Sequence, residues 1–139
     1  MNTTVGDVMT APVMTAAKHQ TAAHLAQVMR SHKVSAMAVV GPDQEPLGIV
    51  TATDLLDRHS DTTPVSELMT KPVYSVPVDE GTHVAARIMR NHHLHHVAVT
   101  DHGAVVGIVS AYDLLALVED HRYTAKAAPT PARREPRRQ

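Results

Sequence analysis

The chain has 139 residues, a formal net charge of −1 and 43% hydrophobic residues, with no Cys, Phe or Trp. That length suits about one domain, and the near-zero charge supplies no global field to gather nucleic acid or anionic lipid. The lack of cysteine excludes disulfides, thiolate metal sites and a cysteine nucleophile, while the shortage of aromatics removes the stacking platforms that single-stranded nucleic-acid binders use.

Read from the start, Met1 to Gly6 is polar and has no leader-like pattern. No apolar run approaches the roughly 18 residues of a membrane span. A cytoplasmic protein with no membrane partner is therefore expected. The segment Val5-Gly6-Asp7-Val8-Met9-Thr10-Ala11-Pro12-Val13 carries a Thr-x-Pro-Val stretch, which is extended because the residue before proline is pushed out of the helical region. A helix follows. Ala22, Leu25, Ala26, Val28 and Met29 cover a broad apolar face. A strand is predicted over Ala36–Val40, a turn at Gly41-Pro42-Asp43, a second strand over Leu47–Thr51, and a final helix from Ala52 to Arg58.

The same plan then repeats. Val65-Ser66-Glu67-Leu68-Met69-Thr70-Lys71-Pro72-Val73 matches the opening segment, and Ala86, Met89, Arg90 and His92 match Ala26, Met29, Arg30 and His32. Strands are predicted at His96–Thr100 and Val105–Ser110, and a helix over Ala111–Val118. Internal duplication sets the architecture. The predicted order in each copy is strand–helix–strand–strand–helix, an α/β unit too small to bury its own sheet. Two copies stacked sheet to sheet solve that problem. The expected bounds are 5–59 and 65–119, with a disordered basic tail over 122–139, where Pro, Ala and Arg predominate. The Arg pairs of the tail suggest a solubilising end, with RNA, DNA or an acidic partner as the competing reading.

One motif occurs in both copies: Gly48-Ile49-Val50-Thr51-Ala52-Thr53-Asp54 and Gly107-Ile108-Val109-Ser110-Ala111-Tyr112-Asp113. A hydroxyl residue followed three positions later by an acid forms a capping box, which satisfies the orphan amides of a helix start. The same geometry also suits a ligand. Free amides favour phosphate, the hydroxyl donates to a phosphate oxygen, and the carboxylate accepts from ribose hydroxyls. The glycine permits another backbone to approach closely.

The duplicated Thr-x-Pro-Val start, the helix bearing Met29 or Met89, and the Gly-Ile-Val-[Thr/Ser]-x-x-Asp motif resemble tandem CBS repeats, the CBS pair or Bateman module, over about residues 5–119. The resemblance implies two tandem β-α-β-β-α CBS repeats packed sheet to sheet with pseudo-twofold symmetry and two clefts between them. It also implies a regulatory ligand: AMP, ADP, ATP or S-adenosylmethionine, with no cofactor required. One cleft would centre on Asp113 and Ser110, with Tyr112 and Ile108 beside them. Thr10, Val13, Met14, Val34 and Ser35 would form its adenine wall, and Leu94, His95 and His96 would reach the phosphates. The other would centre on Asp54, Thr51 and Thr53, with Thr70, Val73 and Tyr74 as its wall. On this allocation the phosphate favours the Asp113 cleft, because Ser35 and Ala36 stand at the corresponding places in the other. Both copies depart from the family pattern at Ala38 and Ala98, where many CBS repeats have proline.

His92, His93, His95 and His96 form a dense imidazole cluster. Neighbouring side chains at a helix-to-strand junction diverge, so no metal site is expected. Met9, Met29, Met69 and Met89 recur as core filler. A homodimer is expected through the helices after each aspartate, where Leu55, Leu56, Leu114, Leu115 and Leu117 supply apolar surface, and a protein partner would receive the signal. The competing function is a scaffold with the same fold, in which Asp54 and Asp113 only cap helices. No enzyme is expected: no phosphate loop, His-Glu-x-x-His or Gly-x-Ser-x-Gly motif occurs.

Overall fold

In a computed structural model that describes residues 3–57 and 59–119, each repeat carries one main helix of eleven residues. Helix α2 (Ala22–His32) starts at Thr21, whose side chain accepts a hydrogen bond from the His24 amide at 3.2 Å. It ends at Lys33, which turns left-handed (φ 57°) and donates its amide to the Met29 carbonyl. Helix α3 (Thr82–His92) ends in the same way at His93 (φ 56°). Ala22, Leu25 and Met29 of α2, and Ala85 and Met89 of α3, are buried. The apolar period seen in the sequence is thus the packed face.

The sheets repeat one another. Strands β1 (Thr15–Ala17), β2 (Ala36–Val40) and β3 (Pro46–Thr51) form the first, in that order, with β1 parallel and β3 antiparallel to β2. Strands β4 (Ser75–Pro77), β5 (His96–Asp101) and β6 (Ala104–Ser110) form the second on the same plan. The β5–β6 hairpin turns through His102 (φ 52°) and Gly103 (φ 84°), the double positive φ of a type I′ turn. The sheets meet through Ala38, Val40, Val105 and Ile108, with Val13 packed against them. The sheet-to-sheet α/β pair expected from the sequence is the fold.

The packing halves are not continuous in sequence. Helix α1 (Val5–Val8) of the first repeat lies on the second sheet, where Val5 is buried with Val76, Val97, Val99 and Val109. Its amides reach across, Val5 N–H to Glu80 O at 2.8 Å and Gly6 N–H to Val78 O at 3.0 Å. Reciprocally, Val65 is buried with Leu25, Met37, Val39 and Val50 of the first repeat, and its amide donates to Gln20 O at 2.8 Å. Each half therefore contains the opening segment of the other repeat.

The helix expected from Ala52 to Arg58 is corrected to one 3-10 turn, Asp54–Leu56. Asp57 is already extended (ψ 159°). After Leu56 the chain reads Asp57-Arg58-His59-Ser60-Asp61, with no apolar residue to bury on the next turn. The second repeat keeps Leu117 and Val118 in that place and forms the full helix α4 (Ala111–Glu119). His59 anchors the chain where it leaves the turn. Its two ring nitrogens lie 2.8 Å from Leu55 O and 2.9 Å from Ser60 O. Those carbonyls, Ser60 first, raise its pKa, helped by Asp61 and Asp57. The tail expected over 122–139 lies outside the described residues.

Exchange of the opening segments has a measurable consequence. Val5→Ala is expected to cost about 1–3 kcal/mol in urea unfolding, in line with the loss of buried methyl groups. In hydrogen exchange it is expected to weaken protection in β5 more than in β2. Greater loss in β2, the first repeat's own sheet, would contradict the exchange.

Candidate functional site

The crossing of the two halves builds the site. At each crossing a backbone segment from one repeat lies against the last strand of the other: Ile49 bridges Thr70, and Thr10 bridges Ile108. The Ile49 and Thr70 amides and carbonyls exchange hydrogen bonds at 3.2 and 2.7 Å. Glycine makes this approach possible. A Cβ on Gly48 would lie 2.6 Å from Met69 Sδ and 3.0 Å from Thr70 O, and one on Gly107 would overlap Met9 Sδ and lie 3.0 Å from Thr10 O. The close approach expected of the motif glycine is realised twice.

Beyond the Ile49–Thr70 crossing the surfaces part to leave a cavity of about 400 Å³. That falls within the roughly 300–1,000 Å³ of small-molecule sites. Three sources wall it. The first repeat supplies Ser35, Ile49, Thr51, Ala52 and Thr53; the segment after the linker supplies Thr70, Pro72, Val73 and Tyr74; and the junction from α3 into β5 supplies His93, Leu94, His95 and His96. The ring of Tyr74 stacks on His92, with centroids 4.2 Å apart and planes 21° apart. Ile49, Val73, Tyr74 and Leu94 offer an apolar face, and Ser35, Thr51, Thr53 and Thr70 offer hydroxyls. Burial pushes the His96 imidazole below its ordinary pKa, and neighbouring His95 pushes it the same way, while Asp113 and Asp54 pull it upward. His96 is thus neutral near pH 7, able to donate or accept a proton.

The motif carboxylates cap. Asp54 Oδ2 accepts from the Thr51 amide at 2.8 Å while Thr51 Oγ1 accepts from the Asp54 amide at 3.2 Å. Asp113 and Ser110 repeat this at 2.8 and 3.0 Å. One carboxylate oxygen of each is therefore engaged. The other has no protein partner among the described residues. The cavity itself is lined by Thr51 and Thr53 rather than by Asp54.

The sequence placed His95 and His96 in the Asp113 cleft; this allocation is corrected. The structure sets them in one cavity with Thr51, Thr53, Thr70, Val73 and Tyr74. The reason lies in which strand start holds which turn. Ser35 O receives the Ala52 amide at 2.8 Å, and His95 O receives the Ala111 amide at 2.9 Å. Each strand start thus fastens the turn of its own repeat, and both strand starts, Ser35 from the first repeat and His95 and His96 from the second, line the one cavity. His96 also pairs with Ser110 in the sheet, so it lies within the influence of both aspartates.

The residues expected around Asp113 are less gathered. Met14 and Val34 pack against the first repeat's core, Val13 packs against the inter-sheet cluster, and Ile108 is buried within that cluster. Thr10 is exposed beside its bridge to Ile108. Tyr112 is 81% exposed and joins Leu56, Leu115 and Val118 as exposed large apolar side chains. Sequence reasoning missed Ile49, Ala52, Pro72 and His93 as lining residues. The signal for three of them was their adjacency to Thr51, Val73 and Leu94. Among the described residues no group of three or more His, Asp or Glu is placed to hold a metal ion. No helix among them is long and apolar enough to cross a membrane.

Two duplicated α/β halves joined by exchanged segments, with a ligand-sized cavity at their junction, define a tandem-repeat pair. The family model for the CBS domain matches twice, over residues 5–61 and 65–120, and the chain belongs to that family. A CBS domain-containing protein of Bacillus subtilis is 33% identical over 116 residues, covering 79% of this chain and 81% of that protein. An uncharacterized protein of Methanopyrus kandleri is 29% identical over 118 residues, covering 80% of this chain, which spans 60% of that protein's length. Among solved structures, the CBS domain pair of protein MJ0100 in complex with 5′-methylthioadenosine and S-adenosyl-L-methionine superposes with a TM-score of 0.80 at 25% identity, covering 88% of this chain and all of that one.

The glycine crossing is open to direct test. Gly48→Val is expected to cost about 1–3 kcal/mol in urea unfolding, the usual penalty of overpacking. A loss below about 0.5 kcal/mol, within the range of neutral surface changes, would contradict the close approach.

Proposed function

We propose that the protein is a non-catalytic regulatory module that senses an adenosine-containing ligand (AMP, ADP, ATP or S-adenosylmethionine) at the junction of its two CBS repeats. The observation that carries this reading is the cavity itself, which holds an apolar wall, hydroxyls and imidazoles and is built by both repeats. Adenine would lie against Ile49, Val73 and Tyr74, with the ribose at the Thr51 and Thr53 hydroxyls. The groove beside Asp113, Ser110 and Thr10 is the second candidate position by pseudo-symmetry. Support comes also from the similar pair of protein MJ0100, which holds adenosyl compounds. Because both repeats line the site, a bound ligand changes the angle between them, and that change is the output to a partner. A homodimer through the exposed Leu56, Tyr112, Leu115 and Val118 would pass it on.

A second reading has its own observation. Both aspartates already cap their turns, which is all that a ligand-free scaffold would require of them. Calorimetric titration and thermal unfolding with AMP, ATP and S-adenosylmethionine separate the two. A ligand at 100 times its Kd is expected to add about 2.7 kcal/mol of stability. Thr53→Val, which removes a hydroxyl from the cavity lining, is expected to weaken binding about threefold or more, the worth of a neutral hydrogen bond. No heat and no thermal shift with any of the three at millimolar concentration would leave the scaffold as the account.

A further inference from the structure

The cavity wall has an unusual charge inventory for a site that would hold a phosphorylated ligand. Three of its thirteen lining residues are histidines (His93, His95 and His96), and none is Lys, Arg, Asp or Glu. Its cationic capacity, among the described residues, is therefore entirely imidazole. Imidazole changes charge in the range where the second ionisation of a phosphate also lies, near pH 6. Resting on the ligand class proposed above, we infer that this cavity binds a phosphorylated adenosine ligand together with a proton, so that the module reads pH and nucleotide jointly.

The groups around the imidazoles support the coupling. His96, half-buried at the start of β5, feels the adjacent His95, Asp113 from α4 and Asp54 from the 3-10 turn. His93 and the Tyr74 phenol complete the ionisable side chains of the lining, and His92 stacks behind Tyr74. Burial and His95 keep His96 neutral until an anion arrives. A phosphate beside the cluster reverses that balance, since an opposite charge favours the protonated form and replaces the repulsion between imidazoles with a shared counter-ion. The proton comes from solvent and resides on a ring nitrogen, and no covalent bond forms or breaks. A permanently charged lysine or arginine would bind the same phosphate with no such dependence.

The sign follows from linkage. If the complex holds one more proton than the free protein and ligand, affinity rises up to about tenfold for each pH unit lost, between the free and bound pKa values of the cluster. Adenosine has no phosphate and is expected to bind with an affinity independent of pH between 6.0 and 8.0.

The experiment is calorimetric titration of AMP and of adenosine into the full chain at pH 6.0, 7.0 and 8.0. Each is run in two buffers of different ionisation enthalpy, which reads proton uptake directly. Wild type is expected to bind AMP about three- to tenfold more tightly per unit of falling pH, with net proton uptake, while adenosine changes by less than twofold. The double variant His95→Gln/His96→Gln keeps hydrogen-bonding capacity. It is expected to lose most of that dependence for AMP, and whatever affinity it keeps for adenosine is expected to be independent of pH. The difference between wild type and variant cancels the titration of the ligand's own phosphate. AMP binding with the same proton uptake in both proteins would overturn the coupling while leaving the ligand reading intact. Failure of adenosine and AMP alike to bind wild type would overturn the coupling and remove AMP from the ligands proposed above, leaving ATP and S-adenosylmethionine to the titrations already described.

Discussion

Two glycines allow two backbones to touch, and the architecture of the junction follows from that contact. At Gly48 the Thr70 carbonyl stands 3.0 Å from where a Cβ would be, and at Gly107 the Thr10 carbonyl does the same. Each crossing takes the segment that opens one repeat and fastens it to the last strand of the other. Val5 and Val65 are thereby delivered into opposite cores. Neither half is complete without the other repeat's opening residues, so the halves cannot separate without exposing buried valine. That interdependence gives the junction a defined geometry, and the cavity is the space left where the crossing segment diverges from the strand.

Pseudo-symmetry in the backbone does not carry over to the chemistry. At equivalent positions the first repeat has Lys33, Ser35 and Ala36, and the second has His93, His95 and His96. The turns after the two motif strands diverge as well, one a 3-10 turn and the other a helix of nine residues. Duplication supplied two similar frames, and the side chains at the strand starts then gave the junction two faces. One is rich in imidazole. This is why the ligand's charge, rather than its adenine, is the property on which the two clefts would differ.

Much of the frame was legible in the sequence. The predicted strands Ala36–Val40 and Val105–Ser110 fall within a residue of β2 and β6, because β-branched runs bounded by turn residues leave little choice. The capping boxes were legible too, since they are local. The exchange of the opening segments was not, because Val5 and Val65 are equivalent and either core would accept either one. The position of the histidines was missed for a related reason. Spacing placed His95 at the start of a strand, but which cleft that strand start faces depends on how two sheets stack. The shortened turn after Leu56 was visible in principle. The polar run Asp57 to Asp61 has no apolar period to sustain a helix, and the parallel with Ala111–Val118 outweighed that local signal.

The account turns on a small molecule lodging where the repeats cross. A crystal structure of the protein grown with AMP addresses this most directly. Density for the nucleotide is expected between Tyr74 and Thr53, with its phosphate turned toward His95 and His96. Density only against the exposed Leu56, Tyr112 and Leu115, or none with AMP, ATP or S-adenosylmethionine at saturation, would contradict it.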